Sequence, residues 1–158
     1  MSVSVRLRSA VAADVPSIAR IWREGWADAH LGNVPAALVE VRTPGSFAER
    51  TPDRLGDTIV AVRDGAVVGF VMVDGSQVDH LYLDRSGRGT GIGAVLLEAA
   101  ERVVLAAGHP RAWLAVATGN HGARRFYARQ GWTDEGSIAH PAPVSVDVDC
   151  HRFVSPPR

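Results

Sequence analysis

Four glycines lie within seven residues, at positions 87, 89, 91 and 93, between two segments with different apolar patterns. Before them, residues 78–83 mix β-branched, aromatic and aliphatic side chains without proline or glycine, which predicts a β-strand. After them, residues 94–107 carry apolar side chains at helical spacing, which predicts a helix with one apolar face. That face comprises Val95, Leu96, Ala99, Val103 and Ala106. The chain therefore passes from a strand to a helix through a loop with a very free backbone.

The glycine loop has the properties of an anion-binding site. Without Cβ atoms, successive N–H groups of the loop can turn toward one ligand. The first four N–H groups of the following helix lack internal acceptors, and the helix dipole adds partial positive charge there. Arg88 can add a full charge and bidentate hydrogen bonds. We therefore predict that this loop binds phosphate; the alternative is that its glycines only form a turn.

Two common phosphate-binding motifs do not account for the loop. A P-loop requires a lysine after its glycines, and this chain contains no lysine, since all 17 basic residues are arginine. Gly89, Gly91 and Ala94 satisfy the dinucleotide fingerprint, which also needs an acidic residue about 20 positions further on. Residues 108–111 are Gly, His, Pro and Arg. We interpret the dinucleotide match as a coincidence of glycine density.

Two separate regions form one recognisable pattern. Arg88, Gly91 and Gly93 fit the motif Q/RxxGxG/A, with LYLD before it and GRGTGIGAVLLEAAE around it. The second region, NHGARRFYARQGW at 120–132, places Tyr127 seven residues after Asn120 and ends in Gln-Gly-Trp. A strand candidate at 112–117 separates the two regions. In these features, which cover about the central third of the chain, the sequence resembles the GCN5-related N-acetyltransferase (GNAT) family.

The flanking segments alternate between strand and helix patterns. Strands are predicted at 6–9, 58–62, 66–73, near Ile138 and at 144–153, with turns at 63–65 and 141–143, and a helix at 14–27. Residues 34–54 contain three prolines and predict broken helices that face the substrate. This order predicts an α/β fold, with a mixed sheet and helices on both faces. The resemblance implies a three-layer, mostly antiparallel twisted sheet with a splayed parallel strand pair that holds acetyl-CoA, in one domain over residues 1–158.

Composition and charge limit the classes of partner that we expect for this chain. The net charge is zero, so no overall field attracts nucleic acid or a membrane, and no run approaches the roughly 18 apolar residues of a spanning helix. We expect a cytoplasmic protein, with a homodimer among the oligomeric states left open. The single Cys150 suits a reducing compartment and a structural role in the last strand. No histidine pair has metal-ligand spacing, so we expect no metal.

The resemblance implies which residues hold acetyl-CoA, the co-substrate. In the family, the pantetheine arm bonds to backbone groups of the earlier splayed strand, which corresponds to Leu81, Tyr82 and Leu83. The residues that correspond to the family's pyrophosphate-binding region are Arg88, Gly89, Thr90, Gly91, Ile92 and Gly93. The second motif contributes Asn120 to the cofactor site. Asn120 is also a suitable N-cap for the helix that follows.

The resemblance also assigns catalytic roles. Tyr127 corresponds to the acid that assists the departing thiolate; the alternative is a core position, because Tyr127 shares a helical face with Ala123 and Phe126. The family's glutamate bases correspond to Gln77 and Ala115, neither of which can accept a proton. Asp79, His80, Glu24 and His30 are substitutes by type. We favour His80, because an unperturbed histidine pKa of about 6.5 suits a group that accepts a proton near neutral pH. The alternative is that His80 is a structural histidine.

The implied enzyme transfers acetyl from acetyl-CoA to a primary amine of a small molecule or peptide, by direct attack. Neutralising a lysine amine at pH 7 costs about 4.6 kcal/mol, whereas an α-amine costs about 1.4 kcal/mol. Without a glutamate base, we therefore expect an α-amine or small amine rather than a protein lysine. Trp22, Trp26 and His30 are candidates for the acceptor pocket, with core tryptophans as the alternative. A non-catalytic acetyl-CoA-binding module remains the second functional hypothesis.

Overall fold

Seven strands form one sheet in the order β1-β2-β3-β4-β5-β7-β6, and the computed structural model describes residues 4–30, 36–37, 42–142 and 146–158. Within these residues the parallel neighbours are β4 and β5, and the other neighbours are antiparallel. The strands are β1 (Arg6–Ser9), β2 (Thr58–Arg63), β3 (Ala66–Asp74), β4 (Gln77–Leu83), β5 (Trp113–Ala117), β6 (Thr133–Ala142) and β7 (Val146–Val154).

Helices cover both faces of this sheet, as the order of the sequence patterns predicted. They are α1 (Val15–His30), α2 (Pro44–Arg54), α3 (Ile92–Ala106) and α4 (His121–Arg129). Trp22 of α1 and Phe47 of α2 pack with Phe70 of β3 in one core cluster. Leu96 of α3 packs with Val71 of β3 and Leu114 of β5 in a second cluster, on the opposite face. None of the helices in the described part of the chain has the length and apolar character needed to cross a membrane.

Local sequence signals set several boundaries of these elements. The predicted hairpin turn between β2 and β3 is confirmed, because Asp64 and Gly65 have φ values of 52° and 78°, as a two-residue turn of this kind requires. Thr43 caps α2 by accepting a 3.3 Å hydrogen bond from the N–H of Ser46, and Pro44 occupies the first turn. Gly108, at φ 97°, follows the end of α3 and allows the chain to leave the helix.

The buried face of α3 differs from the predicted one. Val103 is 43% exposed, and Val95 and Ala99 are only half-buried. The buried residues of α3 are Ile92, Gly93, Leu96, Leu97, Ala100, Glu101 and Val104. Nearly every position of this helix is apolar, so the sequence contains two overlapping apolar stripes. The sheet, rather than the helical period, selects the one that begins at Ile92.

Two other predictions differ from the structure or fall outside it. Pro141 and Ala142 belong to strand β6 rather than to a turn, because their backbones pair with Asp147 and Val146; residues 143–145 lie outside the described residues. Within the predicted broken helical segment 34–54, the structure describes α2 and a helical stretch at 36–37. Residues 34–35 and 38–41 of that segment are not among the described residues.

Candidate active site

The two central strands separate almost as soon as they meet. β4 and β5 are paired at Gln77 and Trp113, and the N–H of Trp113 donates to the carbonyl of Ser76 at 3.0 Å. Beyond that point, residues 79–83 have no ladder partner in β5. Their backbone N–H and C=O groups on that side therefore face a gap in the sheet.

A bulge in β4 accompanies the separation. Met72 of β3 pairs with His80, and Val73 pairs with Val78, so Asp79 is an extra residue in β4. Such a bulge bends its strand and changes which face the following side chains occupy. His80 consequently packs toward α1, with its ring centroid 4.7 Å from that of Trp22.

The gap opens into a cleft with a volume of about 660 Å³. Every residue of β4 from 78 to 83 lines it, together with 114–117 of β5. Other lining residues come from α1, the loop before α2, the glycine loop, the start of α3, α4 with its N-cap, and the last two strands: Gly25, Trp26, Asp28, Arg42, Arg88, Gly93, Asn120, Gly122, Ala123, Phe126, Tyr127, His140, Val148 and Cys150. The cleft thus joins the predicted β4 residues, the glycine loop and the second motif.

The glycine loop leads into the N-terminal end of α3, which we call its free end because its first backbone N–H groups have no acceptor within the helix. Gly89 and Gly91 have φ values of 73° and 88°, in the region that L-residues rarely adopt. Gly91 is the N-cap of α3 and provides no side-chain hydrogen bond to the helix, so the first N–H groups remain available to a ligand. The hydroxyl of Thr90 donates to the carbonyl of Gly87 and closes the loop. This donor set fits a pyrophosphate group.

Arg88 is held by a partner that the sequence did not indicate. Its guanidinium donates a 2.8 Å hydrogen bond to Asp28 of α1, and Arg85 bonds to the same carboxylate at 3.3 and 3.4 Å. The hydrogen bonds from Arg85 and Arg88 lower the pKa of Asp28 below its usual range. Asp28 therefore stays ionised and fixes Arg88 at the edge of the cleft, beside the start of α3.

Helix α4 brings Asn120 and Tyr127 to the cleft. Asn120 caps the helix, because its side-chain oxygen accepts a 3.2 Å hydrogen bond from the N–H of Ala123; the N-cap prediction is confirmed. The Tyr127 ring packs against Phe126 and Phe153, with centroid distances of 5.1 and 5.8 Å. Burial raises the pKa of Tyr127 above its usual range, so its hydroxyl keeps its proton. Core packing and exposure to the cleft coexist at this residue.

Among the proposed bases, His80 and Asp79 line the cleft. The Asp79 carboxylate accepts two hydrogen bonds from Arg54, at 2.9 and 3.1 Å. Burial raises the pKa of Asp79, and the Arg54 charge opposes that shift. Glu24 instead pairs with Arg20 at 3.3 Å, and the His30 side chain lies outside the described residues.

The second motif and the glycine loop thus meet at one cleft between splayed parallel strands. A family model described as the acetyltransferase (GNAT) family matches residues 18–132. The chain belongs to this family. The matched segment runs from α1 to the end of the second motif, so it contains both regions on which the resemblance rests.

Known acetyltransferases share the fold and part of the sequence. An uncharacterised N-acetyltransferase of Mycobacterium tuberculosis is 34% identical over 96 residues, which are 58% of this chain and 62% of that protein. The solved structure of a GCN5-related N-acetyltransferase from Rhodopseudomonas palustris has a TM-score of 0.77 at 21% identity, covering 98% of both chains. The PaiA N-acetyltransferase of Thermoplasma acidophilum, solved with coenzyme A, has a TM-score of 0.69 at 20% identity, covering 96% of this chain and 98% of that one. Other structures of this fold hold acetyl-CoA.

Cys150 also lines the cleft. Cys150 is buried in β7, and burial raises the pKa of its thiol to about 11. A protonated thiol is a poor nucleophile, which agrees with the predicted structural role. No group of three or more His, Cys, Asp or Glu side chains within the described ranges is placed to hold a metal ion.

The sequence analysis did not single out the arginines near the cleft. It also grouped Trp22 with Trp26 as candidates for the acceptor pocket, whereas the structure gives the two tryptophans different positions. Trp26 lines the cleft, whereas Trp22 is buried beneath it in the core. Arg42 lines the cleft, and Arg50 lies over the Trp22 ring, 4.2 Å from its centroid. Neither arginine belongs to a motif. Only the packing of α2 against α1 brings Arg50 to the tryptophan.

Proposed function

We propose that this chain is an N-acetyltransferase that transfers an acetyl group from acetyl-CoA to an α-amine or another small primary amine, and that residues 1–158 act as one domain. The gap between β4 and β5, which reaches Arg88 and Gly93 beside the free end of α3, is the observation that carries the proposal. Splayed strands expose backbone groups to an extended arm, and the helix end favours a pyrophosphate.

The residues present fit acetyl-CoA along the whole cleft. N–H groups of 89–93 and the guanidinium of Arg88 would hold the pyrophosphate. Backbone groups of Leu81, Tyr82 and Leu83 would bond to the pantetheine arm, and Asn120 would contact it from α4. When bound, acetyl-CoA supplies a thioester carbonyl that an amine can attack. Backbone N–H groups at the gap can donate hydrogen bonds to that carbonyl oxygen.

Tyr127 assists the leaving sulfur as a hydrogen-bond donor. A tyrosine has an unperturbed pKa of about 10 and a thiol about 8.5, so full proton transfer is uphill by about 2 kcal/mol. Burial raises the pKa of Tyr127 further and makes the transfer less favourable still. The same burial keeps the hydroxyl protonated, which makes Tyr127 a constant donor to negative charge that develops on sulfur.

His80 accepts the proton that the amine loses. As the nitrogen–carbon bond forms and the carbon–sulfur bond breaks, one proton passes from nitrogen to His80, and the sulfur departs as a thiolate that accepts a hydrogen bond from Tyr127. His80 lines the cleft and its side chain is 25% exposed. Its Nε2 lies 3.9 Å from the Asp79 carboxylate, which stabilises the imidazolium that forms. The ion pair with Arg54 keeps Asp79 in place.

The first test is binding of acetyl-CoA by isothermal titration, with NAD and ATP as matched competitors for a phosphate-binding loop. Binding of acetyl-CoA alone supports the proposal, and binding of NAD or ATP instead would refute it. The second test follows thiol release with an α-amine peptide and with an N-terminally blocked lysine peptide at pH 7. We expect the α-amine to react faster; equal rates would reject the amine preference. Acetyl-CoA binding without turnover by any amine would favour the non-catalytic module.

A further inference from the structure

Two arginines lie close together at the cleft. Arg42 is one of its lining residues, and Arg50 is not a lining residue but is near enough for the charge of Arg42 to act on it. Arg42, just before α2, lines the cleft beside His80 and Tyr82 of β4. The guanidinium of Arg50, nearly two turns into α2, lies 4.2 Å from the Trp22 ring centroid and 4.7 Å from that of Phe47. We call these two residues the arginine pair. Aromatic faces orient a guanidinium, so Arg50 is positioned before any ligand arrives.

Within the described residues, the arginine pair lacks a carboxylate partner. The Nε atom of Arg42 and one terminal nitrogen of Arg50 are buried there without a hydrogen-bond acceptor. Among the described residues, Arg50 donates from Nε to the carbonyl of Ser46 at 3.3 Å. The next arginine of the same helix, Arg54, is instead paired with both Asp79 and Asp57. The nearby carboxylates are therefore already occupied.

This arrangement is unfavourable in the free protein. Burial lowers the pKa of Arg50 to about 10, and the charge of Arg42 adds to that shift. Burial likewise lowers the pKa of Arg42. Both groups stay charged at neutral pH, although buried donors without acceptors destabilise a fold. A ligand that brings negative charge would relieve both the missing hydrogen bonds and the repulsion between the two guanidiniums.

We propose that Arg42 and Arg50 bind a carboxylate of the acceptor amine, so that the substrate is a small amine with an acidic group, such as an amino acid or a short peptide with a free C-terminus. This inference rests on the proposed acetyl transfer and narrows its substrate class. Guanidinium groups bind carboxylates with paired, charge-assisted hydrogen bonds. The amine of an acceptor held in this way would lie near His80, because His80 and Arg42 line the same cleft and the Trp22 ring contacts both His80 and Arg50.

The arginine pair also bears on the absence of a glutamate base at Gln77 and Ala115. Nearby positive charge disfavours the protonated form of an amine and lowers its pKa. An acceptor held by its carboxylate would place its amine in this field and lose its proton more readily. The pair would therefore act in binding and in amine neutralisation, without touching the thioester.

Binding can be measured without turnover. In the coenzyme A complex, ¹⁵N-labelled protein is titrated with N-acetylglycine, a product-like acid, and with N-acetylglycinamide, its neutral analogue. The Trp22 indole signal, assigned with Trp22→Phe, reports on the site, because Arg50 lies over that ring. We expect saturable shifts with the acid and at least about tenfold weaker binding of the amide, the size of one lost charge-assisted hydrogen bond. Equal binding of the two, or none by the acid, would overturn the proposal.

Kinetics provide the second test. Glycylglycine and glycylglycinamide share an α-amine with a pKa of about 8 and differ in the carboxylate. We expect the acid to be preferred at least about tenfold in kcat/KM, and Arg42→Gln or Arg50→Gln to remove that preference. Arg102→Gln, at an exposed pair with Glu98 in α3, is the control that keeps it. If the enzyme turns over both substrates without preferring the acid, the carboxylate site is refuted and acetyl transfer still stands. If the wild-type protein does not bind acetyl-CoA, the proposed function itself is refuted.

Discussion

A Cβ atom added to Gly25 would lie 2.4 Å from Cδ1 and 3.1 Å from Cβ of Tyr82. Helix α1 therefore crosses strand β4 at a distance that only glycine permits. The contact lies at the cleft, because both residues line it. Since Tyr82 Cβ is attached directly to the backbone, rotation of the ring alone cannot relieve the overlap.

Gly25→Ala should destabilise the protein despite the better helix propensity of alanine. The propensity gain is about 1 kcal/mol, whereas overpacking of this kind costs about 1–3 kcal/mol. We expect a lower free energy of unfolding in urea and weaker acetyl-CoA binding, because β4 must shift at the cleft. The matched control is Gly45→Ala in α2, where the nearest atom to an added Cβ lies at 4.0 Å. A Gly25→Ala variant as stable as the control would contradict the packing.

Tyr127→Phe should lower kcat by about 10²-fold if the hydroxyl assists the leaving sulfur. Phenylalanine keeps the ring that packs on Phe126 and Phe153, so the melting temperature and the acetyl-CoA dissociation constant should stay unchanged. Stopped-flow thiol release measures the chemical step, and titration calorimetry measures binding. An unchanged kcat would assign Tyr127 to the core alone.

Arg88→Gln should weaken acetyl-CoA binding by about tenfold, with a smaller salt dependence than the unchanged protein. Arg85→Gln is the control, because Arg85 bonds to the same Asp28 carboxylate but does not line the cleft. Both substitutions remove an ion pair of Asp28, so a difference between them isolates contact with the pyrophosphate. Equal losses of affinity would instead indicate that the ion pairs act by holding α1 against the loop.

Asp14→Asn should destabilise the fold at pH 7 and have less effect in acid. Asp14 is buried and accepts hydrogen bonds from Arg8 at 2.7 and 3.0 Å and from the N–H of Val11 at 2.9 Å. These bonds, those from Arg8 most of all, lower the pKa of Asp14. A lowered carboxyl pKa stabilises the fold above the unfolded value of about 4, and that contribution is lost as the pH falls through the folded value.

Urea unfolding over an acidic pH series measures this linkage. We expect the free energy of unfolding of Asp14→Asn to be about 1–3 kcal/mol lower than that of the wild-type protein at pH 7. The difference between the two proteins should narrow below about pH 4. Asp53→Asn, at an exposed position of α2, should show little effect at either end. A gap that persists unchanged at low pH would mean that the ionised carboxylate contributes nothing through its hydrogen bonds.

Much of the fold could be predicted because its signals are local. The turn at Asp64 and Gly65, the N-cap at Asn120 and the first strand at Arg6–Ser9 all agree with the structure. Each depends on residues a few positions apart, whose preferences act before any tertiary contact forms. The glycine loop is similar in part, since the sequence predicted a free backbone over residues 87–93 and the structure has positive φ at Gly89 and Gly91.

Other features depend on residues far apart in the sequence. Asp28 meets Arg88 across 60 positions, and Asp79 meets Arg54 across 25. No local pattern marks such pairs, because arginine and aspartate are common on exposed surfaces and most such side chains have no fixed partner. The arginine pair is a clear case, since no local pattern predicts that Arg50 lies over the rings of Trp22 and Phe47 or that Arg42 lines the cleft.

The sequence by itself determined the order of strands and helices, the position of the glycine loop and the family, since these depend on short-range periodicity and motif spacing. Tertiary structure alone decided which apolar stripe of α3 is buried, where β4 bulges at Asp79, and which side chains border the cleft. Those choices depend on how elements distant in the sequence bury apolar area and satisfy hydrogen bonds together. They therefore depend on which elements pack together, and no segment contains that information alone.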